Sequence, residues 1–385
     1  MDFTITDEQK ALYASTRDFA ARVVAPGAAD RDKEGRFDRS VWDAVFAQGL
    51  GGMPIPEDLG GAGGSIIDTC LVGEAIAEGG GDAGLMLSLG AHWVIGAVPI
   101  WLHGSPELQK TWLPGLCDGT YIGAFAITEP EAGSDAGSVR TSARRDGNEW
   151  VINGSKTFIT NGPIADVVTV VARTNADTSP GAGVSAFTIP TTTPGFRVGQ
   201  EIDKMGCRSS PTSEIWLEDC RVPQEWMLGP EGEALWRIAF ECFDWERTVM
   251  VASAAGGMKS LLDKTIAYAK ERKQFGKPIA SFQAIAHKLA DMKINYEVAR
   301  TAIYRAAWLK QEGHPHQIEA SIAKILIGEM STKNALDSIQ IFGGNGYTRD
   351  FPPERALRDS KLLSIGGGTT EIQKMLISRA LLGEG

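Results

Sequence analysis

Apolar residues recur at helical spacing through the first third of the chain. Between Asp7 and about Ala28 they fall at Leu12, Phe19 and Val23, with Thr6-Asp7-Glu8 as a start signal. Trp42, Val45 and Phe46 repeat the pattern between Arg39 and Leu50. After a Pro- and Gly-rich loop from Pro54 to Gly64, the pattern is helical again over Ile66–Glu78, Leu85–Leu102 and Pro106–Cys117. Residues 1–120 therefore read as an N-terminal all-α domain. At Gly119 the period changes to short β-rich runs: Phe125–Thr128, Glu149–Ile152, Lys156–Thr160, Val167–Ala172, Val184–Ile189 and Glu214–Leu217. Asn153-Gly154, between two of these runs, predicts a two-residue hairpin turn. Residues 121–232 read as a middle β-barrel domain that ends near Arg221-Val222-Pro223, with Gly229–Gly232 as its exit loop. Long helical patterns then cover Ala234–Lys270, Ser281–Gln311, Gln317–Ile341 and Thr369–Leu382, so residues 233–385 predict a C-terminal four-helix bundle. The whole is an α+β multidomain chain without internal repeats.

Composition narrows the class. A length of 385 residues suits two or three domains, and 43% hydrophobic with 22% charged residues reads as globular. A net charge of −10 argues against nucleic acid as the main partner. No apolar run is expected to reach the roughly 20 residues of a membrane helix, so no membrane insertion is expected. The N-terminal residues lack a basic segment followed by an apolar one. Five cysteines without Cys-x-x-Cys spacing (Cys70, Cys117, Cys207, Cys220, Cys242) fit reduced, buried thiols and a cytoplasmic location. No phosphate-loop or dinucleotide-binding glycine motif occurs, and His314-Pro315-His316 reads as a solvated turn, so no metal site is expected.

The chemistry concentrates in four segments. In the first, Gly123-Ala124-Phe125-Ala126-Ile127-Thr128-Glu129-Pro130-Glu131-Ala132-Gly133-Ser134-Asp135, an apolar strand runs into a turn of small and acidic residues. Such a turn leaves backbone N–H groups and hydroxyls free for a flat ligand, although Gly, Pro and Asp also specify ordinary surface turns. The second is Lys156-Thr157-Phe158-Ile159-Thr160-Asn161-Gly162, where Phe158 and Thr160 share one strand face. The third is Glu271-Arg272-Lys273-Gln274-Phe275-Gly276-Lys277-Pro278, whose Arg272 can offer a two-pronged donor to a pyrophosphate. The fourth is Gln340-Ile341-Phe342-Gly343-Gly344-Asn345-Gly346-Tyr347, followed by Asp350, Arg355 and Asp359. In this order the four segments resemble the signatures of the acyl-CoA dehydrogenase family, and the likeness runs from end to end.

That resemblance implies FAD. Phe125, Ile127, Thr128, Gly133 and Ser134 would lie along the flavin ring, with Ser134 also toward the thioester arm. Phe158, Ile159 and Thr160 would stand beside the ring, with the Thr160 hydroxyl toward flavin N5. Arg272, Gln274, Phe275 and Gln283 would reach the FAD of a neighbouring subunit, and Gln340, Gly343 and Gly344 would approach its nucleotide half. The family also implies a homotetramer built as a dimer of dimers and an electron-transferring flavoprotein as acceptor.

Dehydrogenation of a thioester needs a carboxylate that takes the α-proton while hydride leaves Cβ. Many family members carry it as Glu in a Glu-Gly-Thr segment near the C-terminus. Here the matching segment is Ile365-Gly366-Gly367-Gly368-Thr369-Thr370-Glu371, and Gly367 stands at that position. Thr369 and Glu371 match residues that meet the flavin. The isovaleryl-CoA and long-chain branches instead carry the Glu on a bundle helix directly before an Arg. In Phe243-Asp244-Trp245-Glu246-Arg247-Thr248 that residue is Glu246, with Asp244, Arg247 and Gly368 expected toward the substrate. Neighbours in a helix diverge, so Glu246 and Arg247 are not expected to pair. Burial is expected to raise the Glu246 pKa. The Gly367 N–H would polarise the thioester carbonyl. The expected reaction is acyl-CoA to trans-2-enoyl-CoA, and Leu85–Trp93 with Gly367 suggest room for a branched, cyclic or bulky acyl group, although core packing explains the same residues. Gly206–Glu214 and Asp244–Arg247 also resemble family members that oxidise acyl or aminoacyl groups on a carrier protein, which stays open. A flavin monooxygenase on the same fold is disfavoured by Glu246, and a non-catalytic scaffold by the intact FAD segments.

Overall fold

The computed structural model describes residues 4–179 and 181–383; the first three residues, Pro180 and the last two lie outside the described residues. The first helix, Asp7–Val23, starts in a reciprocal cap: Thr6 Oγ1 accepts from the Gln9 N–H while the Gln9 side chain accepts from the Thr6 N–H. Pro26 and Gly27 end the helical register, and a separate short helix, Ala28–Glu34, follows that the periodicity did not resolve. Ser65 and Asp68 repeat the reciprocal cap for Ile66–Gly80.

From Ala83 to His103 the chain is continuously helical, with a mean hydropathy of 1.7 over its most apolar stretch, long and apolar enough to cross a membrane. This corrects the expectation that no such run exists. Yet 78% of that stretch is buried inside the protein, as a core helix requires. It carries a π-helical segment, Ala91–Ala97. There His92 accepts at Nδ1 from the Gly123 N–H (3.0 Å) and donates from Nε2 to Leu116 O (2.8 Å). Burial lowers its pKa to about 4, so the ring is neutral and joins the helical unit to the first strand.

The middle of the chain forms one eight-stranded mixed sheet: β1 (Gly123–Ala126), β2 (Ser142–Asp146), β3 (Glu149–Thr160), β4 (Val167–Arg173), β5 (Val184–Pro190), β6 (Phe196–Glu201), β7 (Thr212–Pro223) and β8 (Met227–Leu228). The order is β6-β7-β3-β2-β4-β5-β8, with β1 parallel to β4. The expected hairpin at Asn153-Gly154 is absent. Those residues lie within β3, where the register against β7 shifts between Ile152 and Gly154. The turn falls instead at Gly147-Asn148, joining β2 to β3, with Gly147 at φ +63°. Gly154 serves a different need: its φ is +151°, and a β-carbon there would lie 2.5 Å from Thr141 Oγ1.

Helices return over Phe240–Trp245, flanked by π-helical segments Leu235–Ala239 and Glu246–Met250, then Ala252–Glu271, Gln283–Gln311, Gln317–Phe342 and Thr370–Leu382. A further helix, Pro352–Ser360, was not anticipated. Glu74 ties the first helical unit to this bundle, fully buried and accepting from Tyr296 Oη (3.1 Å), Arg300 Nε (2.7 Å) and Tyr304 Oη (2.5 Å).

Candidate active site

Glu246 opens the π-helical segment Glu246–Met250, where the wider turn interrupts the α-helical register. It faces the glycine turn Gly366-Gly367-Gly368. A β-carbon built on Gly367 would lie 2.7 Å from Oε1, 2.8 Å from Cδ and 3.1 Å from Oε2 of Glu246. The carboxylate thus occupies the direction in which a side chain at 367 would project. No hydrogen bond or ion pair holds that carboxylate among the described residues. Burial raises its pKa above the ordinary carboxylate value, against the charges of Lys324 and Arg247.

The glycine turn is held from behind. Gly367 and Gly368 have φ of +65° and +93°, conformations that favour glycine. Arg247, only 5% exposed, donates from Nε to Gly367 O (3.1 Å) and does not pair with Glu246. Gln373 Nε2 donates to Gly367 O (3.2 Å) and Gly368 O (3.1 Å), and Lys324 Nζ to Leu363 O (3.0 Å) and Gly368 O (2.9 Å). Thr369 caps the last helix, its hydroxyl accepting from the Ile372 N–H (3.3 Å), while Glu371 is exposed. Sequence reasoning placed Glu246, Arg247, Gly367, Gly368 and Thr369 here and missed Lys324 and Gln373. A lysine among Ala320, Ser321, Ile322, Ala323, Ile325 and Ile327 was the available signal.

Beside this corner, Asp244 and Arg247 line a cavity of about 600 Å³ with Trp236, Phe240, Lys310 and His316. His316 is 9% exposed with Nε2 3.5 Å from Asp244, which corrects the reading of His314-Pro315-His316 as a solvated turn.

In the first segment, Phe125 and Ile127 are 7% and 8% exposed and pack in the core, so they support the site from below rather than present an open face. Glu129 is buried and structural. Its carboxylate accepts from Lys156 Nζ (2.7 Å), Arg140 N (2.6 Å) and Thr141 N (2.9 Å), and Lys156 also donates to Ile127 O (3.0 Å). Burial would raise the Glu129 pKa, but Lys156 and these bonds hold it below the usual value; burial draws Lys156 down to about 8. Thr128 O accepts from the Thr157 N–H (3.0 Å). Ser134 is exposed, and nothing lies within 4 Å of where a Gly133 β-carbon would be. In β3, the register shift between Lys156 and Ile159 puts Phe158 at φ +58° and 64% exposed, while Ile159 points inward. Thr160 stays half-buried on the Phe158 side.

The remaining predicted residues form a separate, open set. Arg272, Gln274, Gln283 and Gln340 are exposed, and Phe275, 92% exposed at φ +51°, tops a small hairpin between Lys273-Gln274 and Lys277-Pro278. Positions 343 and 344 also have open space where a β-carbon would stand. Tyr268 links them: its carbonyl accepts from the Arg272 N–H (2.8 Å) and its ring stacks on Phe342, centroids 3.9 Å apart.

Family models match almost the whole chain: the acyl-CoA dehydrogenase N-terminal domain over residues 6–120, its middle domain over 124–220 and its C-terminal domain over 236–382. The chain belongs to the acyl-CoA dehydrogenase family. A probable acyl-CoA dehydrogenase of Bacillus subtilis, YngJ, is 43% identical over 99% of this chain and all of that protein. The structure of an FAD complex of PigA superposes with a TM-score of 0.96 at 37% identity, covering all of both chains. The prolyl acyl carrier protein oxidase AnaB gives 0.95 at 35% identity over 98% of this chain and all of that one. This family member is an oxidoreductase whose cofactor is FAD. The residues fit that group: the open glycines 133, 343 and 344, the exposed Phe158 and Arg272, and the half-buried Thr160 leave room and donors for a flat ring and a pyrophosphate arm.

Proposed function

We propose that this family member converts an acyl-CoA thioester into its trans-2-enoyl-CoA, with Glu246 as base in the arrangement of the isovaleryl-CoA and long-chain branches. One observation carries the reading: the Glu246 carboxylate lies where a side chain on Gly367 would project. A glutamate at either position delivers its oxygens to the same corner. Glu246 is part-buried, and among the described residues no protein donor competes for its lone pairs. Desolvation strengthens it as a base for an α-proton made acidic by the thioester. The Gly367 N–H would donate to the thioester oxygen as charge develops there, a contact worth roughly 3 kcal/mol. Asp244 and Arg247 border the cavity through which a thioester arm would enter. Bound FAD supplies the two-electron acceptor for the β-hydride. Gly133, Ser134, Phe158 and Thr160 would hold its ring end, while Arg272, Gln274, Gln340, Gly343 and Gly344 would reach the other half of the FAD bound by a neighbouring subunit.

A second copy of the chain would cover the exposed apolar residues Phe275, Ile294, Val298 and Leu336, which supports self-association, and a homotetramer is the proposed assembly. An electron-transferring flavoprotein is the proposed acceptor, and five buried free thiols support a cytoplasmic setting. An acyl group on a carrier protein is the second reading. It is favoured by the cavity mouth, where Trp236 is 63% exposed and Arg237 already pairs with Glu233 (3.0 Å).

Anaerobic titration with acyl-CoA and acyl-carrier thioesters, following bleaching of the flavin band, separates the two. In the same assay Glu246→Gln should retain FAD and bind ligand yet lose at least about a hundredfold in reduction rate. Undiminished flavin reduction by that variant rules Glu246 out as base.

A further inference from the structure

Lys324 sits in the middle of the Gln317–Phe342 helix, 3% exposed. A buried ammonium group is costly unless it is paired, and no carboxylate lies within ion-pair distance of this one among the described residues. Instead Nζ donates to Leu363 O (3.0 Å) and Gly368 O (2.9 Å), carbonyls on either side of the turn that faces the Glu246 carboxylate. The neutral Gln373 amide already donates to Gly367 O and to Gly368 O, the carbonyl that Lys324 also binds. Hydrogen bonding alone therefore leaves the positive charge at 324 without a reason.

We propose that Lys324 is a positioning residue of the reaction: it ties both ends of the glycine turn under Glu246 and turns its charge toward that carboxylate. The proposal rests on Glu246 being the base. The groups that face Glu246 are Arg247 and the Cys242 thiol from its own helix and Lys324 from the Gln317–Phe342 helix; the Gly366–Thr369 turn adds no charged side chain. Arg247 is itself faced by Asp244, so Lys324 is the cation with no second carboxylate acting on it. Burial draws Lys324 down to about 8, with Glu246 opposing, so it remains largely charged at neutral pH.

The sign follows. A nearby positive charge favours ionised Glu246, which acts as base above its pKa and is silenced as pH falls through it. Lys324→Met should therefore move the acid limb of the kcat/KM profile to higher pH by about one unit or more. Lys324→Arg should leave the limb near its wild-type position, and KM should change less than kcat. If Lys324→Met does not fold, Lys324→Gln keeps a neutral donor and should show the same displacement. A uniform loss of activity with the limb unmoved assigns Lys324 a merely structural role and overturns the proposal. Measuring Glu246→Gln alongside keeps the two ideas apart. Normal flavin reduction by that variant defeats both, whereas an inactive Glu246→Gln beside an unshifted Lys324→Met limb defeats this one alone.

Discussion

At Gly367 two demands meet: a backbone φ of +65° and a Glu246 oxygen 2.7 Å from where a β-carbon would stand. Alanine would violate both. Gly367→Ala should cost about 1 kcal/mol in backbone strain and push the carboxylate off its resting place. The expected result is a kcat reduced about tenfold or more, with substrate binding little changed, measured by steady-state kinetics against FAD-loaded wild type. Wild-type kcat in Gly367→Ala would show that the Glu246 carboxylate has freedom to move. The sequence singles out Glu246 as the proposed base and Gly367 at the position where many family members carry one. Their contact in space was not legible there, because nothing along the chain says that residues 121 positions apart converge.

Strand β3 carries the next scale of organisation, through the buried pair of Lys156 with Glu129. The pair fastens the strand that bears Phe158 and Thr160 to the turn after β1, so two segments of the expected FAD site move as one piece. Lys156→Met leaves a buried carboxylate without its cation, and thermal or denaturant unfolding should show a loss of about 3–5 kcal/mol. An unchanged midpoint would mean that water reaches Glu129 and the clamp is dispensable. The sequence showed these strands as β-rich runs but misassigned the turn between them. Asn-Gly is a strong hairpin signal, yet here glycine answers to the close approach of Thr141 at a register shift, while Gly147-Asn148 makes the turn. The π-helical segments at Ala91–Ala97 and Glu246–Met250 were equally hidden, since widening a turn leaves the apolar spacing almost unchanged.

Across the whole molecule, apart from Thr369 and Glu371 at the start of the last helix, the expected FAD residues fall into two sets, one near β1 and β3 and one on the open edge around Arg272, Phe275 and Gly343–Gly344. The second set is exposed, as an edge that meets another copy would be. Arg272→Ala should therefore lower FAD retention while leaving the fold intact. The ratio of flavin to protein absorbance after dialysis reads this directly, and full retention would count against a pyrophosphate contact. A concentration-dependent FAD loss in wild type would tie retention to assembly.

Local pattern determined much of this protein. The switch from helical to strand period near residue 119, the return to long helices after 233 and the order of four motifs are properties of contiguous residues. They were enough for the fold class, the family and FAD. Tertiary structure alone decided that an apolar helix long enough for a membrane is instead a core element, and that Glu129 is a clamp. It also put Lys324, Gln373 and Arg247 behind the turn on which Glu246 rests. Burial and the direction of a side chain depend on what folds back against it, and that information is spread over residues far apart in the chain.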